Sequence, residues 1–157
     1  TVILSGGSTV AEVATSLSNR LIQIVTNSIP VAQIFWDSKQ AEVTLTGGYL
    51  YPRLGVQIGP ICEKMLDSVS ADILIMGIGG ITASGISDSN SLNVESIRAM
   101  IRAARRVIIV ADRSKFGQDS MIHVAPLSEI DQIVSDKDLD PDFQLMLKSN
   151  NVDCLLA

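Results

Sequence analysis

Short apolar runs recur along the chain with segments of helical periodicity between them, and that alternation excludes most architectures. The runs Thr1–Leu4, Leu21–Val25, Glu42–Leu45, Ile73–Met76, Val107–Ala111, Met121–Val124, Gln132–Val134 and Asp153–Leu156 read as strands. Helical patterns fall near Val10–Leu17, Ile29–Trp36, Pro60–Leu66, Val94–Ala104 and Pro141–Ser149. Several of the strand runs are apolar throughout, as strands covered on both faces must be. The expectation is a single three-layer α/β domain with a mostly parallel sheet and helices on both faces. No internal repeat, low-complexity tract or linker interrupts the pattern, and 157 residues suffice for one core.

In such a sheet, ligands collect where strands end and helices begin. The first strand runs into Ser5-Gly6-Gly7-Ser8-Thr9 and then a helical pattern. Glycines let the backbone turn with its N–H groups pointing inward, hydroxyls add donors, and the helix start carries partial positive charge, so this junction suits an anion. The plainer reading is that Ser8 or Thr9 caps the helix. Other strand ends carry Thr26-Asn27-Ser28, Gly47-Gly48 with Arg53 a few residues on, Gly77-Ile78-Gly79-Gly80, and Asp112-Arg113-Ser114-Lys115. Arg53 and Lys115 together with backbone N–H groups suit a phosphate, while each has an ordinary surface role as its alternative. The convergence of small, polar and basic residues on one rim favours a pocket.

Composition removes other classes. The net charge is −5, and the twelve basic residues are dispersed except for Arg102, Arg105 and Arg106, so no basic face for nucleic acid is apparent. No apolar run approaches the roughly 20 residues that cross a bilayer. Cys62 and Cys154 lack metal-type spacing and read as free, buried thiols of a reducing, cytoplasmic compartment. With His123 as the single histidine, set in an apolar run, a histidine-based metal site or catalytic triad is not expected. The expectation is no catalytic residue, no metal and no cofactor. The abrupt start at a strand suggests a domain of something longer.

The ordered set Ser5-Gly6-Gly7-Ser8-Thr9, Thr26-Asn27-Ser28, Gly47-Gly48 with Arg53, Gly59-Pro60 and Val110-Ala111-Asp112-Arg113-Ser114-Lys115-Phe116 resembles the C-terminal effector-sensing domain of DeoR-type bacterial transcriptional repressors. The resemblance continues through Ala125-Pro126-Leu127, Ile130-Asp131 and Ser135-Asp136 to about Leu156. It implies a sensor for a phosphorylated sugar or similar small anionic effector, with a DNA-binding winged helix-turn-helix upstream of Thr1. It further implies a homo-oligomer and a fold shared with ribose-5-phosphate isomerase and glucosamine-6-phosphate deaminase. The expected ligand-binding residues are Ser5, Gly6, Gly7, Ser8, Thr9, Thr26, Asn27, Ser28, Gly48, Arg53, Gly79, Gly80 and Lys115.

Two rival readings come with it. Enzymes of that fold carry acidic residues after the central strand, where this chain has Gly77-Ile78-Gly79-Gly80-Ile81-Thr82. Proton transfer beside a carbonyl needs a carboxylate there, so sensing is favoured over turnover. The other rival is an oligomerisation module that has lost its ligand, with Trp36, Tyr49, Tyr51 or Phe116 as contact residues. Within the sensor family the helix after the central loop usually carries a Lys where this chain has Ile97 and an acid where it has Asn93, so either Arg98 or Asp88-Ser89-Asn90 is a candidate replacement. The acidic composition predicts that this chain alone does not retard duplex DNA in a gel at physiological salt, and retardation at low protein concentration would overturn that reading.

Overall fold

A computed structural model describing residues 1–157 resolves the alternation into a seven-stranded sheet with helices on both faces. In chain order the elements are β1 (Val2–Leu4), α1 (Ser8–Leu17), β2 (Ile22–Thr26), α2 (Ile29–Ile34), β3 (Ala41–Leu45), β4 (Tyr49–Tyr51), β5 (Val56–Ile58), α3 (Pro60–Asp67) and β6 (Ala71–Met76). Then follow β7 (Gly80–Thr82), β8 (Gly85–Asp88), α4 (Ser91–Ala103), β9 (Ala104–Val110), β10 (Ile122–Ala125), β11 (Gln132–Ser135), α5 (Pro141–Ser149) and β12 (Asp153–Leu156). The main sheet runs β12-β11-β9-β6-β1-β2-β3, and every neighbouring pair in it is parallel.

Strand alternation sorts the core into two layers. Val2 and Leu4 point to one face, where they meet Val10 and Ala14 of α1 and Val31 of α2. Ile3 between them points to the other, with Leu74 and Met76 of β6, Cys62 and Leu66 of α3, Met100 of α4 and Leu147 of α5. Helix α1 places Val10, Val13, Ala14 and Leu17 on one side, the spacing of a single buried stripe. Local chemistry starts two of the helices where the sequence implies. Ser28 caps α2 by accepting from the Val31 N–H at 3.3 Å, ahead of Pro30 in the first turn, and Asn90 caps α4 by accepting from the Leu92 N–H at 3.1 Å.

Two departures from the sequence reading matter for the site. The run at Met121–Val124 forms β10, but it pairs antiparallel with β8 in a separate three-stranded sheet, β10-β8-β7, and takes no place in the main sheet. The segment after β3 is no open loop: β4 and β5 pair as an antiparallel hairpin. This hairpin is tied down at the end of β2, where the Gln57 N–H donates to the Asn27 carbonyl at 2.7 Å and Asn27 Nδ2 donates to the Gln57 carbonyl at 2.9 Å. Cys154 is also half-buried where full burial was expected, while Cys62 is enclosed, and both are free.

The small sheet depends on Gly85, whose φ of +135° is open to glycine and strained for other residues, and a side chain there would press into the Ala125 carbonyl oxygen. Gly85→Ala is expected to cost upwards of about 1 kcal/mol of stability in urea titration.

Candidate functional site at the sheet switch point

The chain leaves β1 toward β2 and β3 on one side, whereas β6, β9, β11 and β12 build outward on the other. Connections therefore diverge between β1 and β6, and a crevice opens beyond their carboxyl ends. A cavity of about 290 Å³ occupies it, near the lower end of the range of roughly 300–1,000 Å³ typical of small-ligand sites.

Its floor is backbone. Gly7 holds φ +117° and ψ 156°, and no side chain caps α1 behind it. The first helical hydrogen bond runs from the Ala11 N–H to the Gly7 carbonyl at 3.0 Å, and the N–H groups of Gly6, Gly7, Ser8, Thr9 and Val10 have no protein acceptor. An α-helix always leaves its first N–H groups unmet, and here the preceding glycine turn extends that row. All five residues line the cavity together with Ser5. Partial positive charge from the helix start falls on the same spot. The reading of Ser8 or Thr9 as the cap is thereby replaced: Gly7 is the capping residue, and both hydroxyls sit in the first turn.

Around this floor stand Gly77, Ile78 and Gly79 after β6, Asn27 after β2, Val110 at the end of β9, and Ala111, Asp112 and Lys115 after it. Lys115 is half-buried, lines the cavity and takes part in none of the chain's ion pairs. Asp112 turns back on its own loop and accepts from the Ser114 N–H at 2.8 Å. Hydrogen bonds from Ser114, with the Lys115 ammonium adding to them, hold its carboxyl below the usual carboxylate range, so it stays ionised at neutral pH.

The opposite wall combines positions that the resemblance had marked, Asp88, Asn93 and Ile97, with Leu54, Val56 and Met100, which the sequence reading did not assign to the site. Helix α4 presents Asn93, Ile97 and Met100, spaced i, i+4 and i+7 and therefore on one face. The hairpin adds Leu54 and Val56, and β8 adds Asp88. Asp88 Oδ1 accepts from the Asn90 N–H at 2.7 Å. Of the four buried side-chain atoms without a partner, two belong to lining residues: Asn27 Oδ1 and Asn93 Oδ1. The orientation of the Asn27 amide is settled by its neighbour, because an oxygen placed 2.9 Å from the Gln57 carbonyl would repel it, leaving the oxygen as the free end.

The structure brings Ser5, Gly6, Gly7, Ser8, Thr9, Asn27, Gly79 and Lys115 to one cavity and leaves the other expected residues outside it. Thr26 is enclosed and accepts from the Ser28 N–H at 3.0 Å, so both belong to the turn that starts α2. Gly48 packs against the Ile58 carbonyl oxygen and Cys62, and Gly80 lies against Gln118 and Ser87. Arg53 sits exposed at the hairpin tip, lining a neighbouring cleft with Tyr51, Ser89 and Asn90. The cause is that β3 is the edge strand, two positions from the switch point, so its following residues reach the rim and not the floor. Leu54 and Asp88 border both the cavity and that cleft. Arg98 does not replace a cation at Ile97: its Nε donates to the Val124 carbonyl at 3.0 Å and its Nη2 to the His123 carbonyl at 2.6 Å, which fixes α4 to the small sheet. Phe116 is core, its ring tilted against that of Phe143 with centroids 5.3 Å apart, whereas Trp36 and Tyr49 are exposed.

An open, doubly wound sheet with a donor-lined crevice at its switch point defines an α/β domain whose functional groups lie on the loops that follow its strands. The chain belongs to the DeoR C-terminal sensor domain family, whose pattern it matches over residues 1–137. It is 33% identical over 153 residues to the HTH-type transcriptional regulator GlpR of Haloferax volcanii, covering 96% of this chain and 60% of that protein. It is 32% identical over 156 residues to the HTH-type transcriptional repressor GlcR of Bacillus subtilis, covering 99% and 60%. Against the glycerol-3-phosphate regulon repressor of Escherichia coli it is 32% identical over 138 residues, covering 87% and 55%. The chain thus spans about 60% of the length of such relatives, which are transcriptional regulators. No helix is long and apolar enough to cross a membrane.

Because the folded state depresses the Asp112 carboxyl below its ordinary value near 3.8, its contribution to stability is complete above that value and is lost as pH falls through the lower folded value. Asp112→Asn is therefore expected to narrow the stability difference between pH 6 and pH 3 in urea titrations, and an unchanged difference would contradict this account.

Proposed function

We propose that this chain is the effector-sensing domain of a cytoplasmic transcriptional repressor of sugar metabolism. Its ligand is a phosphorylated sugar or related anionic metabolite, held at the β1–α1 junction. The observation that carries the proposal is the row of five backbone N–H groups without protein acceptors, set at a helix start and faced by a lysine outside every ion pair. Phosphate oxygens accept several such donors at once, and Lys115 supplies the point charge. Ser8 and Thr9 add hydroxyl donors at the same place, while the Ser5 hydroxyl donates to the Gly6 carbonyl at 3.2 Å.

The cavity's two carboxylates give no ground for turnover. Asp112 is kept ionised by Ser114 and is a weak base for that reason, and the loop after β6 carries glycines where an isomerase needs acids. Control follows from linkage. A ligand that binds one arrangement of the domain or its oligomer more tightly shifts the population toward it, and one with equal affinity for both shifts nothing. The DNA-binding helix-turn-helix that responds would lie upstream of Thr1, and the exposed Trp36 and Tyr49 are candidate contacts between copies.

Calorimetric titration of the chain with glucose 6-phosphate, glucose and inorganic phosphate tests this. Glucose 6-phosphate is expected to bind and glucose not. Lys115→Ala is expected to weaken the ester roughly 10- to 100-fold, the range for losing a hydrogen bond to a charged group. Arg53→Ala, at the rim, is expected to change it less than Lys115→Ala. Equal binding of glucose and its phosphate, or an unchanged affinity in Lys115→Ala, would overturn the anion site.

A further inference from the structure

Strand β3 ends the main sheet, and no element pairs with its outer side. Four of its five residues are exposed, Val43 at 37% and Leu45 at 42% among them. Edge strands are usually guarded by prolines, bulges or several charges, because their free main-chain groups otherwise recruit another strand. β3 has no proline, keeps an unbroken register with β2 and carries one charge, Glu42.

The hydrogen bonds around the strand show which main-chain groups are free. The Thr46 N–H donates to the Thr26 carbonyl at 3.1 Å, so Thr46, Thr44 and Glu42 turn their N–H and C=O groups toward β2, and Ala41, Val43 and Leu45 turn theirs outward. The Ala41 N–H is already taken by Ser38 Oγ at 3.0 Å, and beyond the strand the Gly47 N–H is taken by Gln57 Oε1 at 3.0 Å. Complete N–H and C=O pairs are left free at Val43 and Leu45. Their side chains stand on the face that carries α1 and α2, because Val43 is in register with Ile24 of that core layer.

We infer that β3 is an interface at which a second copy of this chain adds its own β3 antiparallel, about a two-fold axis through Thr44. In that register Val43 of each copy exchanges both bonds with Leu45 of the other, and every free group meets a partner. The side chains of Val43 and the other copy's Leu45 then cover each other on one face, and on the opposite face Thr44 meets its own copy, hydroxyl against hydroxyl. The neighbouring registers are poorer. An axis through Val43 faces Leu45 with Ala41, whose N–H is spent, and brings the two Glu42 side chains to diagonal positions. An axis through Glu42 sets those carboxylates directly opposite. A strand of some other protein could make the main-chain bonds, but this edge is complementary to itself, and the two-fold contact closes without leaving β3 open to a third copy. The other edge strand, β12, offers less, since its one exposed large apolar side chain is Leu155, with Asp153 on the same face. The interface joins two seven-stranded sheets into one. It supplies the contact for the oligomer in the function proposed above, rests on that reading for nothing else, and is independent of the anion site.

Sedimentation velocity of the chain at micromolar concentration tests the interface. The expected mass is twice 16.8 kDa. Thr44→Arg and Thr44→Glu each keep the strand's bonds to β2 and set like charges face to face at the axis, and each is expected to raise the dimer dissociation constant at least about tenfold. An equimolar mixture of the two variants is expected to restore the dimer, because opposite charges then meet, a recovery that misfolded variants cannot give. Leu155→Arg, on β12, is expected to leave the mass unchanged. A monomeric wild-type chain, a dimer that Thr44→Arg does not weaken, a mixture without recovery, or a dimer lost in Leu155→Arg would each overturn the interface. The glucose 6-phosphate titration of the wild-type chain tests the anion site separately, so either reading can fail while the other stands.

Discussion

The arrangement rests on one topological constraint: parallel strands must be joined by right-handed crossovers, and those leaving β1 and β6 run to opposite sides. No crossover covers the gap between their carboxyl ends. The loops after β1, β2, β6 and β9 all open onto it, which is why residues as distant in sequence as Gly6 and Lys115 share a cavity. The central strands can be placed so rigidly because they are covered on both faces. Ile3, Leu4, Leu74, Met76 and Ile109 are fully enclosed, and loops hung from such strands inherit their positions.

Much of this was readable from sequence. Strands that are apolar on both faces announce themselves as runs, and β12 and α5 fall at the expected boundaries. The β1–α1 junction was readable because its chemistry is local: glycines, hydroxyls and a helical stripe lie within a dozen residues. The opposite wall was readable only in part: Asp88, Asn93 and Ile97 were marked by the resemblance, the hairpin residues were not. Leu54 and Val56 reach the cavity only through a hairpin whose strands are three residues long and whose anchor, the paired bonds between Asn27 and Gln57, spans thirty positions. Arg53 shows the reverse case, a residue expected at the site that the structure places in the neighbouring cleft. A lone cation after a strand looked like a site residue, yet its strand turned out to be the edge of the sheet, which a linear pattern does not reveal.

The sorting of polar groups into structural and available ones also needs three dimensions. Thr26, Ser28 and Asn90 read as alike in sequence to Ser8 or Thr9, but their side chains are taken up by turns and caps. Arg98 is the clearest case, a cation one residue from the cavity wall whose donors are spent on the carbonyls of β10. What remains available is set by subtraction, after the fold has met its own hydrogen bonds.

A floor made of main-chain N–H groups has a consequence for how such a domain changes over time. Substitution alters side chains and leaves those groups in place, provided Gly6 and Gly7 keep the turn. Leu54, Asp88 and Asn93, the partly exposed part of the wall, can therefore drift without disturbing the donors beneath them. Ile97 and Met100 resist such change because they also belong to the core, so divergence at the rim is cheap and loss of the floor is abrupt.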